Sequence, residues 1–177
     1  SIAKKKKLRE YNGHTEKVNT VKFNPDGMSF ASCSQDNSIK TWDIISGELL
    51  HTLQNNLGNP NSFSYSDNGK YIISGGINRQ INLWRSQNGK LIKNYPTKLS
   101  WITSVAYNPK GKIIASGNEL EKTVVLDVEK GEQLCKLIGY SKKITSLAFN
   151  AKGDQLAIVN NGKDILLWDM LLGKITK

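Results

Sequence analysis

Apolar and polar positions alternate with a period of two in "VNTVKFN", "SFSYS", "ITSVAYN" and "ITSLAFN", the pattern of strands with one buried face. These stretches run into "NPDG", "SDNG", "NPKG" and "NAKG", where a glycine can supply the positive φ of a tight turn. The segments "MSFASCS", "YIISGG", "KIIASG" and "QLAIVN" follow, and then "SIKTWDI", "INLWRS", "TVVLDV" and "ILLWDM". A second turn leads to "ELLHTLQ", "KLIKNYP" and "EQLCKLI". No segment sustains a helical period. The pattern predicts an all-β chain built of short antiparallel strands, four to a unit.

The unit repeats every 42 residues without insertion. Glycines recur at Gly27, Gly69, Gly111 and Gly153, and again at Gly47, Gly89, Gly131 and Gly173. Aromatics recur at Phe23, Tyr65, Tyr107 and Phe149, and a third series reads Trp42, Trp84, Leu126, Trp168. The repeats are 13–54, 55–96, 97–138 and 139–177, preceded by a basic segment, 1–12. Within that segment Lys6–Asn12 is in register with Glu48–Gln54 and reads as the outer strand of a blade. A single four-stranded sheet cannot bury both of its faces, whereas sheets stacked around an axis can. The architecture predicted is therefore a β-propeller.

The stretch "GHTEKVNTVKFNPDGMSFASCSQDNSIKTWD" resembles the WD-repeat family in its Gly-His start, turn glycine, Ser, Asp and closing Trp-Asp. The likeness covers nearly the whole chain, although the dipeptide becomes Trp84-Arg85, Leu126-Asp127 and Trp168-Asp169. The resemblance implies a structural hydrogen-bond network of His14, Ser32, Asp36 and Trp42. The second repeat offers the weaker set Asn56, Ser74, Asn78 and Trp84. The third (Lys98, Ser116, Leu120, Leu126) and fourth (Tyr140, Ile158, Gly162, Trp168) cannot rebuild the network, and are expected to rely on apolar packing and to be more mobile.

Ser32, His14 and Asp36 also invite comparison with a hydrolytic triad, which would require an oxyanion hole and substrate access. Satisfaction of buried polar groups inside a blade explains all three without chemistry. His51, on an outer strand, alternates outward and is expected to be solvated. Ser74-Gly75-Gly76 lacks the Lys and Ser/Thr of a nucleotide loop and reads as a strand end. No catalytic residue, cofactor or metal site is assigned.

Trp101 stands out because the same phase elsewhere holds Lys17, Asn59 and Lys143. A position that accepts lysine and asparagine does not belong to a core. By resemblance it lies on the rim of the propeller's top face, where partners bind. Also on that rim by resemblance are Asn19, Asn61, Thr103, Thr145 and Gln35, Ile77, Glu119, Asn161. The expected partner surface comprises Trp101, Ile77, Lys17, Asn59, Lys143, Asn19 and Gln35, with Trp101 and Ile77 as its apolar members. The function implied is a non-catalytic scaffold for protein–protein interaction.

Charge adds a second reading. The chain carries a formal +10, spread as +4 on 1–12, −2, +4, +1 and +3 on the successive repeats. This favours acidic partners, RNA or a ribonucleoprotein surface among them, contacted through the N-terminal lysines with Arg79 and Arg85. "KKKKLR" is alternatively a nuclear address or a solvated end. Two distant cysteines, Cys33 and Cys135, and the absence of an Asn-x-Ser/Thr site fit a reducing, cytoplasmic setting. No apolar run approaches the roughly 20 residues of a membrane span, and no secretory signal is recognised. The first residue, Ser1, suggests a piece of something longer.

Familiar members of the family close with about seven blades, within a range of roughly 4–8. An open stack of four leaves two apolar faces bare. Three closures are available. Two copies can form a homodimeric eight-bladed ring, each lending Lys6–Asn12 to the other's last blade. The chain can close alone, or missing blades of a longer parent chain can complete it. The final "GKITK" is expected to begin another outer strand.

Overall fold

The computed structural model describes residues 7–54, 58–97, 100–120, 122–137, 142–162 and 165–172, with the backbone of 174–176. Blade 1 comprises β1 (Val18–Phe23), β2 (Ser29–Ser34), β3 (Ile39–Asp43) and β4 (Leu49–Leu53). Blade 2 has β5 (Pro60–Tyr65), β6 (Tyr71–Gly76), β7 (Gln80–Arg85) and β8 (Leu91–Pro96). Blade 3 has β9 (Ile102–Tyr107), β10 (Ile113–Asn118), β11 (Thr123–Asp127) and β12 (Gln133–Leu137). Blade 4 has β13 (Ile144–Phe149), β14 (Gln155–Asn160), β15 (Ile165–Asp169) and β16 (Lys174–Thr176). Each is an antiparallel meander in chain order, and the described residues contain no helix. The fold is all-β, four blades of a propeller. The first-turn glycines do adopt positive φ, from +67° at Gly153 to +75° at Gly111.

The core is three seams between neighbouring blades. Ala31, Cys33, Ile39 and Leu53 on the back of blade 1 meet Phe63, Tyr65, Ile72 and Trp84 on the front of blade 2. Ile73, Ile81, Leu83 and Tyr95 meet Ile102, Val105, Tyr107 and Ile114 at the next seam. Ala115, Val125 and Leu137 meet Ile144, Leu147, Leu156 and Trp168 at the last. Complete burial of one such large side chain contributes about 2–3 kcal/mol. No cluster among the described residues joins blade 4 to blade 1, so the array is open and does not close alone. Its cost shows on the front of blade 1, where Phe23 is 70% exposed while its counterpart in blade 2, Tyr65, is 9% exposed.

Two details depart from the simple alternation. The first strand of every blade has a register shift near its start, which leaves Asn19, Asn61, Thr103 and Thr145 as unpaired extra residues. A bulge re-aims its side chain. Asn19 Nδ2 thus donates to Pro60 O at 3.1 Å, Asn61 Nδ2 to Ile102 O at 2.9 Å and Thr103 Oγ1 to Ile144 O at 2.6 Å. Each bond crosses to the following blade. Asn19, expected on the partner rim, is therefore committed to a seam.

Outer strands also reach across seams. His51, half-exposed, donates from Nε2 to Gln87 O at 2.8 Å, a bond on the exposed outer edge that the sequence did not announce. One period later Lys93 Nζ donates to Glu129 O. One period earlier Arg9 donates to Ser46 O and, at 2.9 Å, to Ile45 O. Tyr11 and Tyr95 follow suit, donating to Ile44 O and Val128 O at 3.2 and 2.6 Å. Residues 7–12, expected within an outer strand, have no strand pairing, because each of the four described sheets already carries its own fourth strand. Their side chains nonetheless take the seats an outer strand's side chains take. Lys6 and the preceding lysines lie outside the described residues.

Candidate functional site

In blade 1 a polar chain runs from core to surface. Trp42 Nε1 donates to Ser32 Oγ at 2.8 Å, and Ser32 Oγ lies 2.7 Å from His14 Nε2. His14 Nδ1 lies 2.7 Å from Asp36 Oδ2. A carboxylate only accepts, which places the proton on Nδ1 and lets Ser32 donate to Nε2. Ser38 completes the shell, its hydroxyl and amide donating to Asp36 Oδ1 at 2.6 and 3.0 Å. Burial would raise the Asp36 pKa, but hydrogen bonds from Ser38, His14 and the Thr15 amide outweigh it and bring the carboxyl down to about 2. The order Ser–His–Asp matches a hydrolytic relay, yet the Ser32 oxygen is buried and takes the Trp42 proton. What the arrangement does is pin the blade.

The network decays along the chain. Trp84 Nε1 still donates to Ser74 Oγ at 2.9 Å, while Asn78 bonds Gln80 within its own turn. Asn56, Lys98 and Tyr140 lie outside the described residues. Ser116 Oγ and Trp168 Nε1 are buried without a partner among the described residues, since Leu126 and Ile158 stand where a donor and an acceptor would. Trp42→Phe is therefore expected to cost about 1–2 kcal/mol, through the stranded Ser32–His14 pair. Trp168→Phe removes an orphaned donor and should leave stability unchanged or raised. Urea denaturation of the two variants measures the difference.

The β2–β3, β6–β7 and β10–β11 turns gather at one end of the blades with the segments that lead into β1, β5 and β9. Backbone bonds pair the two series: Gln35 N donates to Lys17 O, Glu119 N to Trp101 O and Asn161 N to Lys143 O, at 2.8–3.1 Å. This end brings the expected rim residues onto one surface, with unequal roles. Trp101 is 48% exposed and Ile77 39%. Lys17 and Gln35 are exposed too, with no side-chain partner among the described residues. Lys143 Nζ sits 3.3 Å from Glu119 Oε1. Asn59, at φ +50°, gives its amide to Asn37 Oδ1 at 2.6 Å and accepts from Asn19. Asn59 and Asn19 thus brace the rim, and the other five face outward.

Arg79 shares this end, closing the β6–β7 turn with φ +62°, whereas Arg85 closes β7 at the opposite end. Six residue steps of about 3.4 Å separate them, so they do not form one basic patch. Cys33 is buried, with its thiol pKa raised to about 12 by desolvation, and Cys135 is exposed. No group of three or more His, Cys, Asp or Glu among the described residues could hold a metal ion.

Comparison with known proteins follows the same phase. The family described as "WD domain, G-beta repeat" matches residues 5–43, 47–85, 89–126 and 131–169. Each match starts around one outer strand and ends at the next Trp-Asp position. An uncharacterized WD repeat-containing protein of Synechocystis is 49% identical over 47 residues, 26% of this chain and 14% of its own length. Human WD repeat-containing protein 36 is 43% identical over 49 residues, 28% of this chain and 6% of its own. The ribosome biogenesis protein ERB1 of Scheffersomyces stipitis is 36% identical over 44 residues, 25% and 5%. Each match spans about one repeat, a small part of the relative. With four matched repeats covering most of its length, the chain belongs to the WD domain, G-beta repeat family.

Proposed function

We propose that the protein is a non-catalytic scaffold that binds other proteins through the rim carrying Trp101. The observation that supports this most is a half-exposed tryptophan hydrogen-bonded through its carbonyl to Glu119 of the Glu119–Lys143 pair, at the same end of the blades as the exposed Ile77 and the Asn19–Asn59 brace. Interface tryptophans are frequently hot spots worth at least about 2 kcal/mol, and a braced surface loses little entropy on binding. A photo-crosslinking residue placed at Lys17 or Gln35 should capture the partner, and one at Lys110 or Lys152, on the opposite turns, should not. Equal capture from both ends would contradict the proposal.

A second reading, contact with RNA or a ribonucleoprotein surface, draws on the +10 charge and on relatives named as ribosome biogenesis proteins. Phosphate contacts weaken steeply with salt, whereas a rim interaction centred on Trp101 holds. The proposed setting is the cytoplasm, with the lysine run as an address for the nucleus. No helix among the described residues is long and apolar enough to cross a membrane.

The bare front of blade 1 calls for a covering blade, from a second copy or from further blades of a longer chain. A homodimer by strand exchange would set Lys6–Asn12 on the outer edge of β15, where β16 already pairs (Leu167↔Thr176, Trp168↔Ile175, Asp169↔Lys174). That pairing favours the longer chain. Sedimentation equilibrium giving a definite dimer would overturn this preference.

A further inference from the structure

The turn after the third strand is built alike in blades 1, 3 and 4, with an aspartate in place to hold it. Asp43 Oδ1 accepts the amides of Ile45 and Ser46 at 2.9 and 2.7 Å. Asp127 Oδ1 accepts that of Lys130 at 2.7 Å, and Asp169 Oδ1 those of Leu171 and Leu172 at 2.8 and 2.9 Å. The Ser46 amide heads the influences that hold the Asp43 carboxyl below its ordinary pKa. In blade 2 the residue at this place is Arg85. The turn keeps its shape, with Gly89 N donating to Arg85 O and Arg85 N to Lys90 O, both at 2.9 Å. The amides in the capped places, Gln87 and Asn88, have no acceptor among the described residues. Both residues are exposed, and the Arg85 guanidinium lies over the Tyr71 ring, 6.0 Å from its centroid, with no hydrogen bond or ion pair among the described residues.

A cleft of about 420 Å³ adjoins this turn, lined by Asn24, Asp26, Asn68, Lys70, Arg85 and Gln87. The Lys70 ammonium is likewise unpaired there. Asp26, the one acid in the cleft, is already engaged by Asn24 Nδ2 and the Met28 amide, both at 2.8 Å. Two turn amides without an acceptor among the described residues thus stand where a carboxylate oxygen is bound in the other three blades, on the turn that Arg85 opens, and Lys70 lines the same cleft as Arg85 and Gln87.

We propose that the β7–β8 turn is a receptor for a carboxylate of another protein, an aspartate or glutamate side chain seated on the Gln87 and Asn88 amides against Arg85. A carboxylate is favoured over a phosphate because the chain itself fills the equivalent seats with one, and the planar guanidinium matches it. The site lies at the opposite end of blade 2 from the rim, so neither reading depends on the other.

Amide NMR of the intact chain tests this, with acetyl-Ala-Asp-Ala-amide as probe, its Asn counterpart as control and inorganic phosphate as a third ligand. The Asp peptide should shift the Gln87 and Asn88 resonances saturably and leave those of Ile45, Ser46, Leu171 and Leu172 in place. Arg85→Asp supplies the missing cap, so it should move the same two resonances without ligand, abolish the response and raise the unfolding temperature. Arg85→Gln keeps the turn and should weaken binding by about ten-fold, the loss of one charge-assisted contact. An equal response to the Asn peptide, no response at all, or a response to phosphate alone overturns the proposal. So does an Arg85→Asp variant that still binds the peptide.

Discussion

Replacing Asp36 with alanine is expected to destabilise the fold by about 2–3 kcal/mol, because it strands donors already removed from water. His14 Nδ1, the Ser38 hydroxyl and amide, and the Thr15 amide all lose their acceptor at once. Acid should mimic the substitution. The folded carboxyl, at about 2, titrates below the roughly 3.9 of an unfolded aspartate. Its stabilising contribution is thus complete above about pH 4 and is lost as the pH falls through about 2. Denaturation midpoints taken across that window should fall more steeply for the wild type than for Asp36→Ala. Parallel pH profiles would show that Asp36 does not hold the blade.

The second large effect lies at the seam between blades 3 and 4. A Cβ built on Gly117 would stand 2.4 Å from Ile144 Cγ2 and 2.8 Å from its Cβ. Both side chains belong to inner, buried strands, so neither can swing away. Gly117→Val is expected to cost about 3 kcal/mol by overpacking. Adding Ile144→Ala should return part of that loss, because the volume is then redistributed rather than added. Gly75 faces Ile102 in the same way, with 2.4 Å to its Cγ2. The glycine-against-isoleucine fit therefore repeats at two seams and reads as part of how blades nest. A double mutant no better than Gly117→Val alone would locate the cost elsewhere.

Much of this was legible in the chain before its structure. The 42-residue phase marks every blade, because each must meet its neighbours through the same two faces and tolerates no insertion in the strands. His14, Ser32, Asp36 and Trp42 were legible as a set through the resemblance of the first repeat to WD repeats. Asn19, assigned to the rim by resemblance, sits on a bulge that strict alternation does not announce, and its amide reaches across the seam to Pro60 O. The clasps of Arg9, His51 and Lys93 were visible only as a shared phase, since their acceptors are backbone carbonyls that no residue type announces. Arg85 was noticed as a departure from Trp-Asp and read as a basic contact. Its meaning lies in the amides of Gln87 and Asn88 that the aspartate's absence leaves free.

Trp101 is proposed as a binding residue rather than a packing one, and Trp101→Ala tests that most directly when stability and partner capture are measured on the same preparation. Trp101 is half exposed and has no ring partner among the described aromatic contacts, so its loss should move the denaturation free energy by no more than about 0.5 kcal/mol. Capture of the crosslinked partner should fall by about thirty-fold or more, the equivalent of at least about 2 kcal/mol. A variant that melts early yet captures its partner undiminished would contradict the account.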